Sequence, residues 1–150
     1  MTNAIEKELK KDHKKIKSLM QDLETAIEEG NSDRKEIYTV LKQELLAHSK
    51  AEEQAYYSKL YSDEKTKDIA KEGKQEHHVV ELLFNEMDKL NINNDDWKAK
   101  FEVLKENVEH HIKEEENELF TQAEKVIRTE TANEEVRDEF LRDKKKAMAA

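Results

Sequence analysis

The hydrophobic residues of this chain recur at steps of three and four, with polar and charged residues between them. Ile16, Met20, Leu23 and Ile27 show this spacing, which is that of one face of an α-helix. Four long segments of this kind are followed by a shorter fifth. The segments span about residues 5–29, 33–60, 64–90, 96–129 and 131–146. The pattern therefore predicts an all-α protein.

Short polar connections between these segments indicate how the helices pack. Residues 30–32, Gly-Asn-Ser, end the first segment. Asp33 and Thr131 are each followed three residues later by Glu, which predicts capping boxes at two helix starts. Because short connections make neighbouring helices antiparallel, we expect an up-down-up-down antiparallel four-helix bundle over residues 1–130. Residues 131–150 then form an additional C-terminal helix that caps the bundle or mediates dimerisation.

Composition supports helices and excludes several classes of function. Charged residues make up 42% of the chain, mean hydropathy is −1.08, Pro is absent and Gly occurs only twice. The net charge of −9 argues against a nucleic-acid partner, because that binding relies on Lys and Arg to displace counterions. No apolar run approaches a membrane span and no signal-peptide pattern is present. We therefore expect a cytoplasmic monomer or homodimer with no membrane partner.

Each of the four long segments carries one histidine on the face that is otherwise apolar. Two of these histidines are followed four residues later by a glutamate, which lies one turn further along the same face. Each histidine lies about 15 to 18 residues from an adjoining turn, so at 1.5 Å of rise per residue all four fall in one layer of the bundle. The six residues are His13, His48, Glu52, His77, His111 and Glu115.

This set of side chains predicts a metal site. Burying two carboxylates among four imidazoles is costly unless cations neutralise them, and no Lys or Arg lies on these inner positions. Four imidazoles and two carboxylates suit two divalent ions, each with two His, and with the Glu side chains bridging them. The absence of Cys removes thiolate ligands, so iron is the first expectation, with manganese and zinc as alternatives. For any single histidine, a hydrogen-bonded core residue is the competing interpretation.

Several neighbouring residues are less suited to bind metal directly. The histidines at 78 and 110 lie about 100° around the helix from the inner faces and are expected on the surface. Glu53 and Glu116 are expected beside the site or in solvent, whereas Glu76 and Glu81 remain lower-ranking candidate ligands. Tyr38, Tyr56, Tyr57 and Phe120 are expected to pack in the core, although one tyrosine hydroxyl close to the metals would suit a hydrogen bond there.

Four segments, DHKKIKSLM, HSKAEEQAYY, EHHVVELLF and HHIKEEENELF, resemble the HHE cation-binding branch of the hemerythrin-like family. The likeness covers roughly residues 9–125. It implies a non-haem di-iron centre, oxo- or hydroxo-bridged, in which the six residues above are the ligands and Glu52 and Glu115 bridge the ions. The six-ligand set is also similar to that of the hemerythrin portion of iron-centre repair proteins.

Two departures from the oxygen-carrying members of that family affect the expected function. Gly73 stands where they have a further His, and Glu115 follows His111 by four residues where they have an Asp after five. We therefore expect binding of a small ligand such as O2, NO or peroxide, for sensing, stress response or iron handling, rather than oxygen storage. Gly73 is expected to leave a gap for water or that ligand. A di-iron oxidase or peroxidase-type enzyme and a bundle stapled by structural metals are the alternatives.

Overall fold

The computed structural model describes residues 2–150, and this part of the chain is helical with no strand. The long helices are α1 (Ala4–Glu29), α2 (Arg34–Ala55), α3 (Lys67–Met87), α4 (Asp95–Glu114) and α6 (Glu130–Ala149), and the short α5 spans Phe120–Ala123. The prediction of an all-α chain is confirmed. Within residues 2–150, every helix is too short or too polar to cross a membrane.

Two helix starts differ from the prediction. Asp33 makes no side-chain capping bond to α2, and its backbone N–H instead donates to Oδ1 of Asn31 at 2.9 Å. The cap of α6 is Thr129 rather than Thr131, because the Thr129 hydroxyl accepts a hydrogen bond from the backbone N–H of Ala132 at 3.0 Å. In both cases the capping residue depends on the path of the preceding loop, which the residue pattern does not specify.

Two breaks in the helices lie close to the histidine layer. α2 ends at Ala55, earlier than predicted, and a 3₁₀ turn over Tyr57–Lys59 follows it. α4 passes at Glu115 into a π-helical turn over Glu115–Leu119, so the predicted continuous helix to residue 129 is wrong. A π-turn inserts one residue and rotates the following side chains by roughly 100°, and such turns are frequent at functional sites.

The hydrophobic core consists of two clusters with the predicted histidine layer between them. One contains Ile5, Leu9, Tyr56, Tyr57, Leu60, Leu119 and Phe140; the other contains Ile16, Leu41, Phe84, Trp97, Phe101 and Ile112, each with smaller neighbours. α6 packs against α2 and α1 and contributes Val136 and Phe140 to the first cluster. The layer of polar side chains is therefore enclosed by apolar residues on both sides.

Candidate metal centre

The structure brings the four predicted histidines together in two pairs. The ring centroids of His13 and His48 are 5.4 Å apart, and those of His77 and His111 are 4.8 Å apart. Each pair meets nearly edge-on, at 63° and 64° respectively. His13, His48 and His77 are buried, and the side chain of His111 is only 12% exposed. One histidine from each of α1 to α4 thus reaches the same interior space.

The two predicted glutamates lie between these pairs and approach both. Oε1 of Glu52 is 3.2 Å from Nε2 of His77 and 3.8 Å from Nε2 of His48. Oε1 of Glu115 is 3.2 Å from Nε2 of His13, and its Oε2 is 3.3 Å from Nε2 of His111. These side chains form two groups, in each of which the donor atoms lie within 4.8 Å of one another. One group consists of His13, His48, Glu52 and Glu115, and the other of Glu52, His77 and His111.

A second ring of carboxylates holds the outer nitrogen of every imidazole. The Nδ1 contacts are Glu116 with His13 at 2.6 Å, Asp12 with His48 at 2.8 Å, Glu53 with His77 at 2.9 Å and Glu76 with His111 at 2.7 Å. α1, α2 and α3 each supply one acid to the histidine of the next helix, and the π-helical turn after α4 supplies Glu116 to His13 on α1. An ionised carboxylate only accepts hydrogen bonds, so Nδ1 carries the hydrogen of each neutral imidazole, whose Nε2 then presents its lone pair inward.

The inner atoms of this centre fit bound cations. Nε2 of His13, both carboxyl oxygens of Glu52 and Oε1 of Glu115 are buried without a hydrogen-bond partner. Leaving buried polar atoms unpaired costs about 1–3 kcal/mol each, and more for a charged group. All of these atoms belong to residues of the two donor groups, and imidazole nitrogens with carboxylate oxygens are typical ligands of iron, manganese and zinc. Metal ions would satisfy them together.

A family model described as the hemerythrin HHE cation binding domain matches residues 4–123. The chain belongs to this family. The match covers α1 to α5 and includes all six predicted ligands, whereas α6 lies beyond it. Comparisons with curated proteins and with solved structures gave no match. Membership of the hemerythrin family supports cation binding at the centre described above.

The structure also places the other residues that the sequence analysis named around this candidate centre, and it adds one that was missed. Glu53 and Glu116 lie beside the site as partners of imidazoles, and Glu76 reaches it only through Nδ1 of His111. Glu81, His78 and His110 are exposed. Asp12, the partner of His48, was missed. A sequence signal for it exists, because Asp12 directly precedes the predicted ligand His13. Glu53, Glu76 and Glu116 are likewise each adjacent in sequence to a predicted ligand.

Burial and neighbouring charges shift the pKa values of the histidine and glutamate side chains in this centre. Burial alone would lower the pKa of His13, but the carboxylates of Glu115 and Glu116 outweigh it and raise that pKa to about 9. Burial, and then the adjacent charge of Glu115, raise the pKa of Glu52 well above its usual range. Burial acts in the same direction on Glu115, but the adjacent carboxyl of Glu52 and the imidazoles of His111 and His13 hold its pKa well below the usual range. Cation binding therefore has to displace protons from this centre.

Tyr57 fills most of the space that Gly73 leaves beside this centre. A Cβ on Gly73 would lie 2.6 Å from the Tyr57 hydroxyl oxygen, closer than any real contact, so α3 needs glycine there. The hydroxyl donates to Oε2 of Glu115 at 2.6 Å and lies 3.4 Å from Nε2 of His111. A cavity of about 10 Å³ remains next to it, close to the space of one water molecule. The predicted gap at Gly73 is thus mostly occupied by a phenol group.

Proposed function

We propose that this hemerythrin-family protein holds a non-haem di-iron centre and binds a small ligand, O2, NO or peroxide, for sensing, stress response or iron handling. The observation that carries the proposal is the convergence of four inward Nε2 atoms on two buried carboxylates, three of whose four oxygens have no hydrogen-bond partner. One ion would be held by His13 and His48 and the other by His77 and His111. Glu52 and Glu115 each approach both pairs and would bridge them.

The donor set favours iron among the metals that could be bound. It offers imidazole and carboxylate only, with no thiolate, and the Nδ1 carboxylates increase the basicity of each imidazole. When bound, iron supplies redox chemistry and coordination positions for a small ligand. The residues of the chain orient the imidazoles, exclude bulk water and hold a hydroxyl, that of Tyr57, next to Glu115. Manganese and zinc are the alternatives that metal analysis distinguishes.

A small apolar cavity beside the imidazoles supports a diatomic or similarly small ligand. Its volume is about 20 Å³, and it lies on the side of the histidine layer away from Tyr57. Its lining consists of the four imidazoles, Ser49 and Glu76 together with the apolar side chains of Ile16, Leu45, Val80, Val108 and Ile112. An apolar pocket of this size suits a small uncharged molecule and excludes larger substrates.

The antiparallel arrangement of α1 to α4 is part of this proposal, and the pairing of side chains supports it. α1 contacts α4 and the π-helical turn that continues it, through the pairs His13–Glu116 and Glu24–Lys105, so residue numbers rise on one side as they fall on the other. The same holds between α3 and α4, where Glu76 contacts His111 and Glu86 contacts Lys100. Such opposed numbering is typical of antiparallel neighbours.

Metal analysis together with optical spectra tests the proposal. Protein purified with and without air should contain about two iron ions per chain and show visible absorption that changes on addition of NO or O2. Glu52→Ala and Glu115→Ala should reduce the metal content well below that of the wild type. The matched controls His78→Ala and His110→Ala, on exposed faces of α3 and α4, should leave it unchanged.

Other outcomes of this experiment would replace the proposal by its alternatives. A colourless protein that contains zinc and does not react with O2 would indicate metals that only staple the bundle. Catalytic turnover of peroxide, or catalytic oxidation of added Fe(II), would indicate an enzyme. Loss of metal from the His78 and His110 variants, but not from those of Glu52 and Glu115, would mean that the ions bind elsewhere.

A further inference from the structure

α6 lies outside the residues that the family model matches, yet it packs directly on the metal centre. The fully buried ring of Phe140 meets the imidazole of His48 edge-on, with 5.5 Å between centroids and 75° between planes. A side chain of α6 therefore limits the rotation of a residue that the proposed function makes a metal ligand.

Lys144, one turn further along α6, enters the bundle beside two buried carboxylates. Its Nζ lies 3.0 Å from Oδ1 of Asp12 and 2.5 Å from Oε1 of Glu44. The lysine side chain is 16% exposed, and those of Asp12 and Glu44 are 8% and 3% exposed. A charged amine is seldom buried to this extent unless it is paired. Here it pairs with both acids, and Glu44 has a second partner in the exposed Lys15, at 3.3 Å.

Asp12 connects this ammonium group to the metal centre. Its second oxygen, Oδ2, accepts a hydrogen bond from Nδ1 of His48 at 2.8 Å. The carboxylates that hold the other three imidazoles are 25% to 27% exposed, so water can solvate them. Asp12 is more deeply buried and depends on the protein for its counter-charge. Lys144 provides that charge from a helix 132 residues away in sequence.

We propose that α6 completes the metal centre, with Lys144 as a positioning residue that holds Asp12 and, through it, the imidazole of His48 with Nε2 facing the ion. This inference rests on the proposed function. Without the ammonium group, Asp12 loses its lysine partner and faces the carboxylate of Glu44, which keeps only the exposed Lys15 at 3.3 Å. Asp12 then loses the fixed position from which it accepts the His48 N–H, and the ring of His48 is held less firmly.

The effect should be confined to one half of the centre. The imidazoles of His77 and His111 are held by Glu53 and Glu76, which lie on α2 and α3. Only the His13–His48 pair has a partner that depends on α6. Weakening of α6 contacts should therefore release one ion of two, and this distinguishes a positioning role from a general loss of stability.

The test uses the full chain loaded with Co(II), whose visible bands report coordination, and follows release of the ion to excess EDTA. Lys144→Met should release one ion about 10- to 100-fold faster than wild type, as is usual when a residue supporting a metal ligand is lost, and the second ion at the wild-type rate. Lys144→Arg should restore most of the difference. The control Lys145→Met, an exposed lysine on the same helix, should behave as wild type.

A double-mutant cycle shows whether Lys144 acts through Asp12. Asp12→Asn should itself accelerate release, and adding Lys144→Met to it should change the rate little, because the shared path is already interrupted. Fully additive effects of the two substitutions would overturn the inference. Should Lys144→Met not fold, adding Glu44→Gln to it removes the second carboxylate beside Asp12 and gives the same comparison.

Failure of this inference can be separated from failure of the proposed function. If His48→Ala and Glu52→Ala lose Co(II) while Lys144→Met releases both ions at the wild-type rate, the centre exists but α6 does not support it. If His48→Ala and Glu52→Ala keep both ions, the metal site itself is wrong. Loss of both ions from Lys144→Met at equal rates would also overturn the proposed positioning role.

Discussion

The phenol ring of Tyr57 stacks on the imidazole of His77, with 5.5 Å between the ring centroids and 8° between their planes. The same side chain donates its hydroxyl hydrogen to Glu115, whose other oxygen lies beside His13. One tyrosine therefore touches residues from both halves of the proposed centre. Its position depends on Gly73 in α3, because a Cβ there would lie only 2.6 Å from the hydroxyl oxygen and clash with it.

Gly73→Ala should force the Tyr57 hydroxyl away from Glu115. The ring is fully buried, so its displacement should cost about 1–3 kcal/mol of overpacking, against a gain of about 1 kcal/mol in helix propensity. In a Tyr57→Leu background the clash is absent and the same substitution should become stabilising. Urea unfolding of the four proteins, with metal content matched, measures this reversal. A destabilisation of equal size in both backgrounds would show that Tyr57 is not the obstacle.

Glu116→Ala should weaken metal binding although Glu116 is not a proposed ligand. Its carboxylate holds Nδ1 of His13 at 2.6 Å, and loss of such a partner typically lowers metal affinity by about 10- to 100-fold. Competition with a chelator of known affinity measures the change. Glu118→Ala, an exposed position on the same π-helical turn, is the control and should have the wild-type affinity. Equal effects of both substitutions would instead indicate a general effect of charge.

Val80→Ile should reduce the binding of a small ligand without loss of metal. Val80 lines the apolar cavity of about 20 Å³ beside the imidazoles, and one added methylene occupies much of that space. We expect NO affinity to fall about tenfold, with a cost in stability of about 1 kcal/mol. Val79→Ile, the adjacent exposed residue, should change neither. Optical titration with NO provides the measurement, and unchanged affinity in Val80→Ile would place the ligand elsewhere.

Ionisation of Glu6 should lower the free energy of unfolding as pH rises from about 4.5 to about 7. Burial, and then the neighbouring charge of Glu124, raise its pKa in the folded protein from 4.5 to about 7. The folded state thus holds a proton that the unfolded chain releases, and this advantage is lost once both states are ionised. The free energy of unfolding of Glu6→Gln, relative to that of wild type, should therefore be higher at pH 8 than at pH 4.5, by on the order of 1–3 kcal/mol.

Urea unfolding of wild type and Glu6→Gln across this pH range, at matched metal content, checks the prediction. Glu124→Gln should reduce the same pH dependence in part, because it removes the like charge near Glu6. Parallel pH profiles for wild type and Glu6→Gln would contradict the expected coupling.

The fold class and the six inner residues could be predicted from the sequence because both depend on short-range periodicity. A residue three or four positions away on a helix always lies on the same face, so the apolar stripes identify which histidines point inward. The turn positions then place His13, His48, His77 and His111 at one height. The helix boundaries near the site were less predictable, since no local residue pattern marked the 3₁₀ turn at Tyr57 or the π-turn at Glu115.

The sequence by itself therefore determined which residues face inward in one layer of the bundle, and it predicted cations between them. Only the tertiary structure decided which carboxylate holds which imidazole, that Tyr57 rather than open space faces Gly73, and that Lys144 reaches Asp12. The physical reason is that periodicity fixes the face of a helix on which a residue lies. The contacts across helices depend instead on how those helices rotate and approach one another, and no local pattern encodes that.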